Sequence, residues 1–246
     1  MLGDARRGAH GSPVRRSAAF AAGPAAGPAL YAGPDGQCLE LWPQRAAYDP
    51  ELKLLMVADA HFGKGHTFRR HGLPVPVASE AAMVQRLDAL LQATGAQELV
   101  FLGDLLHGPW SQEPQALQAL EQWRAQHPAL EVHLVRGNHD HHAGDPALHL
   151  GIEVHAGPLR RGPWALIHEP QEIAGAYALA GHVHPGVQLH ERGGLSLRLP
   201  CFRMTRVYGV LPAFGAFTGL HIQPAMGDDR VYAVVEEEGL VVPLQR

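Results

Sequence analysis

Residues 52–61 read LKLLMVADAH, an apolar run that ends in Asp59 and His61. A short, continuous apolar run of this kind is typical of a strand buried on both faces of a sheet. Residues two apart on an extended segment project to the same side, so Asp59 and His61 can present two ligand atoms to one place. Four later apolar runs also end in polar side chains, and this stretch therefore decides how the rest of the chain is interpreted.

The later runs repeat this order of apolar strand and polar end. After Leu52–Ala58 they are Leu99–Leu102, Val132–Val135, Trp164–Ile167 and Tyr177–Ala180, followed by GDLLH (103–107), GNHD (137–140), His168 and GHVH (181–184). Ligands of α/β sheets bind at the carboxyl ends of the strands, so five strands are expected to aim oxygen and imidazole ligands at one place. A glycine precedes Asp104, Asn138 and His182, and we expect it to permit the tight turn that leaves each strand.

Helical patterns separate the first three runs. One helix is expected from Ser79, as its N-cap, to Gly95, and a second between Pro114 and Pro128. Their apolar residues at helical spacing are Met83, Leu87, Leu90 and Leu91 in the first, and Leu117, Leu120 and Trp123 in the second. Alternating strands and helices predict an α/β fold with a largely parallel sheet and right-handed crossovers. From Ile152 to Val242 the strand signals are close together without a convincing helix, which predicts a second, more antiparallel sheet.

The composition narrows the function classes. The chain of 246 residues has 17 histidines against four Trp, five Tyr and seven Phe, and imidazole serves mainly in proton transfer and metal ligation. The formal net charge of −4 argues against broad electrostatic wrapping of a duplex. No apolar run approaches the roughly 18 residues of a membrane span. Cys38 and Cys201 are too few for a disulfide framework, so a reducing, cytoplasmic compartment is expected.

Residues 1–36 are rich in Ala, Gly and Pro. They lack the continuous apolar stretch of about 7–15 residues that a secretory signal needs. We expect a flexible tail here, with an arginine-bearing arm that touches nucleic acid, or a wrongly assigned start codon, as alternatives. The expected domain covers residues 37–246.

The donors at the five strand ends are carboxylate, amide oxygen and imidazole, without a thiolate. This set suits Mn, Fe or Zn rather than a soft metal. Seven donors exceed what one tetrahedral ion needs, so two divalent ions are the economical count. The seven residues are Asp59, His61, Asp104, Asn138, His168, His182 and His184.

The ordered motifs DAH, GDLLH, GNHD, a lone His and GHVH resemble the signature of calcineurin-like metallophosphoesterases. Longer segments resemble a bacterial branch of that superfamily, the ligase-associated DNA-damage-response endonucleases. These segments are DAHFGKGHTFRRHGLPVP (59–76), FLGDLLHG (101–108), RGNHD (136–140), GHVHP (181–185), LPCF (199–202) and LPAFGAFTG (211–219). The resemblance runs from Cys38 to the C-terminus and implies a two-sheet αββα fold flanked by helices, with the metal site at the carboxyl ends of the strands.

The resemblance also implies a role for each motif residue. It places the first metal on Asp59, His61 and His184, the second on Asn138, His168 and His182, and both on the bridging Asp104. His139 is then the catalytic histidine near the leaving oxygen, and Asp140 is expected to orient its ring. His168 lies in IHEP rather than in a distinctive motif, so His155 is its alternative. His107 is expected beside the metals or the phosphate rather than as a direct ligand.

These roles imply a Mn-dependent phosphodiesterase, with Fe or Zn as alternatives, in which a hydroxide bridging the two ions attacks phosphorus. The branch implies an endonuclease on single-stranded DNA or RNA in bacterial DNA repair, with a ligase and a helicase as partners. Two alternatives are a phosphoesterase on nucleotides or small phosphate esters, and a non-catalytic, metal-stabilised interaction module.

Two groups of side chains bear on the substrate. Lys64, Arg69 and Arg70 follow the first ligand pair and are candidates for a basic rim that binds backbone phosphates, the alternative being a solvated loop with ordinary ion pairs. The aromatic residues of the late loops are candidates for base stacking, with core packing as the alternative. They are Phe202, Phe214 and Phe217.

Overall fold

The apolar runs of the first half pair into a seven-stranded sheet. In the computed structural model, which describes residues 27–76, 78–190 and 196–244, the strands follow one another across this sheet in chain order. They are β1 (Ala29–Ala32), β2 (Cys38–Trp42), β3 (Ala46–Asp49), β4 (Leu54–Val57), β5 (Glu98–Phe101), β6 (Glu131–Val135) and β7 (Ile152–His155). Pairs from β1 to β4 are antiparallel and pairs from β4 to β7 are parallel.

The second half forms the predicted second sheet. Its strands are β8 (Leu159–Arg161), β9 (Trp164–Leu166), β10 (Tyr177–Ala180), β11 (Pro185–His190), β12 (Ser196–Met204), β13 (Tyr208–Val210), β14 (His221–Ile222), β15 (Arg230–Val235) and β16 (Leu240–Leu244). Parallel pairs join β10 to β9 and to β13, and β11 to β14, while the other described pairs are antiparallel.

The helices α1 (Lys64–Arg70), α2 (Ser79–Thr94), α3 (Pro114–Gln126) and α4 (Asn138–Ala143) belong to the first half. Apolar residues of α2 and α3 pack on one face of the first sheet, and the second sheet packs on its other face. The predicted two-sheet α/β fold with flanking helices is therefore confirmed. The described residues from Ile152 onward contain no helix. The described part of the chain therefore forms one helical layer and two sheets, without the second helical layer of the expected αββα arrangement.

In α2 and α3, the apolar residues at helical spacing lie on the face that is buried against the first sheet. Met83, Leu87 and Leu90 of α2 lie in the core, and Gly95 ends that helix in the left-handed conformation at φ 66°. The predicted N-cap was displaced by one residue. Ala78 occupies the cap position, and the hydroxyl of Ser79 donates to Glu80 at 2.6 Å instead of capping the backbone.

The predicted tail boundary at residue 36 was wrong. Residues 29–32 form β1, which pairs with β2, and Tyr31 is only 1% exposed in the core between the sheets. The Tyr31 hydroxyl donates to the hydroxyl of Tyr177 at 3.0 Å, so this strand contacts the second sheet as well. Residues 1–26 of the predicted tail lie outside the described part of the chain. None of the described helices has the length and apolar character that a membrane span needs.

Asp49 at the end of β3 connects the two sheets. One carboxylate oxygen accepts the indole N–H of Trp164 at 2.7 Å, and the other accepts the backbone N–H groups of Glu51 and Leu52 at 2.9 and 3.0 Å. Asp49 is 5% exposed and Trp164 is fully buried. A buried carboxylate with three donors is thus part of the core.

Replacing Asp49 with alanine is expected to lower the free energy of unfolding by about 1–3 kcal/mol, because it leaves the buried indole N–H without an acceptor. Urea denaturation followed by circular dichroism measures the change. Asp35→Ala, in the exposed turn between β1 and β2, is the matched control. A loss in Asp49→Ala no larger than that of the control contradicts the assignment.

Candidate metal centre

Five strands of the two sheets end at one site. Asp59 follows β4, Asp104 follows β5, Asn138 follows β6, His168 follows β9, and His182 and His184 follow β10. Their donor atoms form two groups, each within 4.8 Å, with His61 completing the first. We call Asp59, His61 and His184 cluster A, and Asp104, His168, His182 and the adjoining Asn138 cluster B.

Cluster A holds a histidine without a hydrogen-bond partner. Both ring nitrogens of His61 are buried and unpaired within the described residues. His184 Nε2 lies 3.6 Å from Asp59 Oδ1, and His61 Nε2 lies 3.9 Å from Asp104 Oδ2. Buried polar atoms are rarely left unpaired, because their desolvation costs free energy. A cation between these groups would use the lone pair that His61 leaves unshared.

Cluster B brings acceptor atoms against one another. His168 Nδ1 donates to the Leu102 carbonyl at 2.9 Å, so the unprotonated Nε2 faces Asn138 Oδ1 at 3.0 Å. His182 Nδ1 lies 3.0 Å from the same oxygen and 3.1 Å from His168 Nε2. A lone pair on nitrogen and one on oxygen at this distance repel unless a cation lies between them. The donor set therefore fits a divalent metal.

Asp104 stands between the clusters. Its Oδ2 is 3.9 Å from His61 Nε2 and its Oδ1 is 3.5 Å from His168 Nε2. The side chain is 3% exposed. Each oxygen of one carboxylate thus faces a different cluster.

The ligand residues carry unusual backbone angles. Non-glycine residues with positive φ are uncommon, and each costs on the order of 1–2 kcal/mol. Five of the seven predicted ligands adopt this conformation: Asp59 (53°), His61 (50°), Asp104 (52°), His182 (69°) and His184 (52°). Such strain persists where the surrounding structure imposes it, and it concentrates at functional sites.

A family model for calcineurin-like phosphoesterases matches residues 52–208, which include all seven predicted ligands. The chain belongs to this family. It is therefore a metal-dependent hydrolase of phosphoric esters, and the predicted membership of the superfamily is confirmed.

A solved structure agrees with this assignment. The Pseudomonas putida nuclease MPE is 39% identical over 88% of this chain and 100% of its own, with a TM-score of 0.76, in line with the predicted bacterial branch. A second structure, that of the phosphoesterase Yfce from E. coli, is 18% identical over 77% of this chain and 96% of its own, with a TM-score of 0.41. No curated protein matches the sequence.

The three glycines that precede ligands in this phosphoesterase make room for ligand side chains. A Cβ built on Gly103 would lie 2.1 Å from His168 Nδ1, one on Gly137 would lie 2.3 Å from Asp104 Oδ1, and one on Gly181 would lie 2.7 Å from an oxygen of Asp59. Gly103 also has φ of 81°, whereas Gly137 has an ordinary φ of −97°. The predicted need for a tight turn therefore explains the glycine at 103, where φ is positive. At 137 the glycine is explained by the close approach of the Asp104 carboxylate to its Cα.

Gly137→Ala is expected to weaken metal binding by about 10–100-fold, because the added methyl group displaces the carboxylate of Asp104. Isothermal titration with Mn²⁺ measures the affinity, and circular dichroism checks the fold. Gly157→Ala is the control, since no described atom lies within 4 Å of the position that its methyl group would take. Equal affinities of the two variants would refute the role of Gly137.

Asp140 does not orient the ring of His139, so that prediction was wrong. Its Oδ2 accepts the backbone N–H groups of Asp104 at 2.8 Å and Gly137 at 2.9 Å, and its Oδ1 accepts that of Leu106 at 3.0 Å. The carboxylate thus joins the loop after β5 to the loop after β6. Burial raises the pKa of Asp140, while these backbone bonds oppose that rise.

The His139 ring is held by the backbone of His107 instead. His139 Nδ1 donates to the His107 carbonyl at 2.7 Å, and the two rings stack with centroids 5.1 Å apart. Because Nδ1 carries the proton of the neutral ring, Nε2 is left with its lone pair. The ring of His107 therefore lies beside those of His61 and His139. The sequence could not indicate this contact, because it uses a backbone atom.

Burial favours the neutral form of His61 and His107. It is the main cause that lowers the pKa of His61 far below the usual range and that of His107 to about 4, and Lys64 adds to both effects. The neutral ring is the form that binds a metal. Burial also lowers the pKa of Lys64, although Asp104 and Asp59 oppose this shift.

Three residues were predicted to form a basic rim. Of these, Lys64 alone lies near the carboxylates of the metal site. Arg70 pairs with Glu113 and lies over the ring of Trp110 at 5.0 Å, and Arg69 donates to the Pro76 carbonyl at 3.2 Å. These contacts match the alternative of ordinary surface interactions. The predicted alternative ligand His155 lies away from the clusters, beside His133.

The aromatic candidates for base stacking separate in the same way. Phe202 and Phe214 are completely buried and belong to the core. Phe217 is 41% exposed, and its ring lies 6.1 Å from that of Phe68 on α1. Phe217 is thus the one of the three that solvent, or a base, can reach.

Proposed function

We propose that this phosphoesterase is a nuclease that hydrolyses phosphodiester bonds of single-stranded nucleic acid with two divalent ions, preferably Mn²⁺, in bacterial DNA repair. The observation that carries the proposal is the meeting of clusters A and B on the two oxygens of Asp104. The similarity to a nuclease at 39% identity over most of the chain supports the substrate class.

The proposed ligands follow from which atoms face each other. Cluster A would hold the first ion and His168, His182 and Asn138 the second, with Asp104 contributing one oxygen to each. The chemical reason for two ions is that each cluster alone supplies at least three oxygen or nitrogen donors.

Bound divalent ions lower the pKa of water and neutralise the phosphoryl oxygens of an in-line displacement. Around them, the burial of His61 and Asp104 strengthens their electrostatic interactions. His139 holds its Nδ1–H on the His107 carbonyl, so it must take up a second proton, from solvent, to act as a general acid. The resulting imidazolium can then deliver the Nε2 proton to the departing oxygen. Asp140 acts on the reaction through the backbone, by fixing the loops that carry Asp104 and His139.

Lys64 and Phe217 support a nucleic-acid substrate. Lys64 lies at the start of α1, near the carboxylates of both clusters, where its ammonium group can contact a phosphate that flanks the scissile bond. Its Nζ is 6.0 Å from the centroid of Phe68, whose ring adjoins the exposed ring of Phe217. A cation beside an exposed aromatic ring is the arrangement that binds the backbone and bases of single strands.

The substrate is tested by incubating the Mn²⁺-loaded protein with labelled single-stranded DNA, single-stranded RNA, duplex DNA and p-nitrophenyl phosphate. The proposal expects internal cleavage of a single strand and slower cleavage of the duplex. Hydrolysis of the monoester alone would instead support a small phosphate ester as the substrate. Inactivity of the metal-loaded protein towards all four would support the interaction module. Binding assays with a purified DNA ligase and helicase test the proposed partners separately.

Lys64→Met is expected to raise KM for single-stranded DNA by about 10-fold with little change in kcat, because a charge-assisted contact to phosphate contributes roughly 1.5 kcal/mol. Lys53→Met is the matched control, because Lys53 is the other lysine of the chain and lies in an exposed turn. Steady-state kinetics at two salt concentrations measure both constants. Equal KM values for the two variants would remove Lys64 from the substrate site.

A further inference from the structure

A second group of metal-type donors lies outside the phosphoesterase site, on β6 and on β7, which forms the edge of the first sheet. His133 pairs with Glu153 across these parallel strands, and His155 lies two residues after Glu153. The three side chains therefore point to one face of the sheet. We call them the β6–β7 cluster. Its members differ from every ligand of clusters A and B.

The spacing within the cluster is that of a tetrahedral site. His133 Nδ1 and His155 Nε2 are 3.2 Å apart, and carboxylate oxygens of Glu153 lie 3.5 Å from the first and 3.7 Å from the second. Zinc bonds of about 2.0–2.1 Å to nitrogen place tetrahedral ligands about 3.3 Å from one another. The two nitrogens thus already stand at the length of such an edge, and each of them faces a different oxygen of Glu153.

A carboxylate also faces the other nitrogen of His133. Glu98 Oε1 lies 3.3 Å from His133 Nε2, and the same oxygen accepts the Nε–H of Arg161 at 2.6 Å. Arg161 Nη2 also lies 3.3 Å from His133 Nε2 and can only donate to it, so zinc binding at Nδ1 would require the ring proton to move to Nε2, where Glu98 can accept it. Metal-binding histidines commonly donate their second N–H to a carboxylate, which fixes the tautomer and aims the lone pair at the metal. His133 is 6% exposed, so its ring is held in place by packing as well.

The charge of the surroundings favours a cation. A carboxylate oxygen of Glu131 lies within 4.8 Å of both Glu98 and His133 donor atoms. Three carboxylates, from Glu98, Glu131 and Glu153, thus surround the histidines, against one guanidinium group, that of Arg161. The side chain of Glu153 is 68% exposed, so an ion can enter from solvent and keep a water molecule as its fourth ligand.

We propose that His133, Glu153 and His155 bind one zinc ion that joins the edge strand β7 to β6. Nitrogen and carboxylate ligands without thiolate suit Zn²⁺. Since β6 leads directly into Gly137 and Asn138, this ion would stabilise the strand that carries part of cluster B. The role is structural, and the ion is additional to those proposed for hydrolysis.

The site is tested by measuring the zinc content of the protein after equilibrium dialysis. The background is the Asp104→Ala variant, which lacks the carboxylate between clusters A and B, so that zinc bound at those clusters contributes less to the measurement. Adding H155Q or E153Q is expected to lower the zinc content by one equivalent, and to abolish the rise in Tm that zinc produces in D104A. H149Q is the matched control, because His149 pairs with Glu121 on the surface at 3.0 Å without a third donor among the described residues.

The exposed Glu153 makes E153Q a variant that folds, so the test does not depend on H155Q alone. The proposal is overturned if neither H155Q nor E153Q lowers the zinc content of D104A. It is also overturned if D104A itself binds no zinc. Loss of one equivalent supports it whatever number of ions D104A itself keeps. The result is thus independent of whether Asp104 bridges the catalytic ions.

Discussion

Asp104→Ala is expected to lose both catalytic ions and to lower phosphodiesterase kcat by about 10⁴-fold or more. The two oxygens of Asp104 face His61 at 3.9 Å and His168 at 3.5 Å, so one substitution removes the carboxylate that lies between the two clusters. It also removes the acceptor of the His139 backbone N–H, which donates to Asp104 Oδ1 at 2.9 Å. Metal catalysis contributes several kcal/mol of transition-state stabilisation, and each 1.36 kcal/mol is a tenfold change in rate.

Metal analysis of the dialysed protein and single-turnover cleavage of labelled DNA measure the two effects. Asp88→Ala is the control, since Asp88 pairs with His127 on the surface, away from the site. Circular dichroism checks that D104A keeps its secondary structure. A D104A protein with full Mn²⁺ content would show that the clusters do not share this ligand, and the dinuclear arrangement would have to be abandoned.

His139→Ala is expected to keep both ions and to lower kcat for DNA by about 10²–10⁴-fold, the usual contribution of a general acid. His139 belongs to neither cluster A nor cluster B, and its Nδ1 is already used by the His107 carbonyl. The loss should be smaller on a p-nitrophenyl phosphodiester. Its leaving group departs without a proton, and the two substrates therefore separate proton delivery from phosphate binding.

His141→Ala, an exposed residue of α4, is the control for this substitution. Because the ring centroids of His139 and His61 are 4.8 Å apart, the metal content must be measured together with the rate. Equal losses on both substrates, with an ion missing from H139A, would make His139 a metal ligand. An active H139A with full metal content would exclude it from the reaction.

The strands that carry the site could be predicted because the physics of a buried strand is local. Runs such as 54–57 and 99–101 are apolar throughout, and both faces of these strands are in fact covered. The early strands β1, β2 and β3 were not predicted. ALYA at 29–32 is as apolar as YALA at 177–180, but it lies in the stretch rich in Ala, Gly and Pro that we interpreted as a tail. The packing of the second sheet against Tyr31 is what buries this strand.

The sequence by itself determined the donor types, their order along the chain and their positions after buried strands, because these depend on residue identity and on the two-residue period of an extended chain. Only the tertiary structure decided which donors meet. It placed His168 rather than His155 in cluster B, bonded Asp140 to backbone N–H groups rather than to His139, and paired Arg70 with Glu113. The physical reason is that these contacts join residues distant in sequence, often through backbone atoms, and their distances depend on how the two sheets pack.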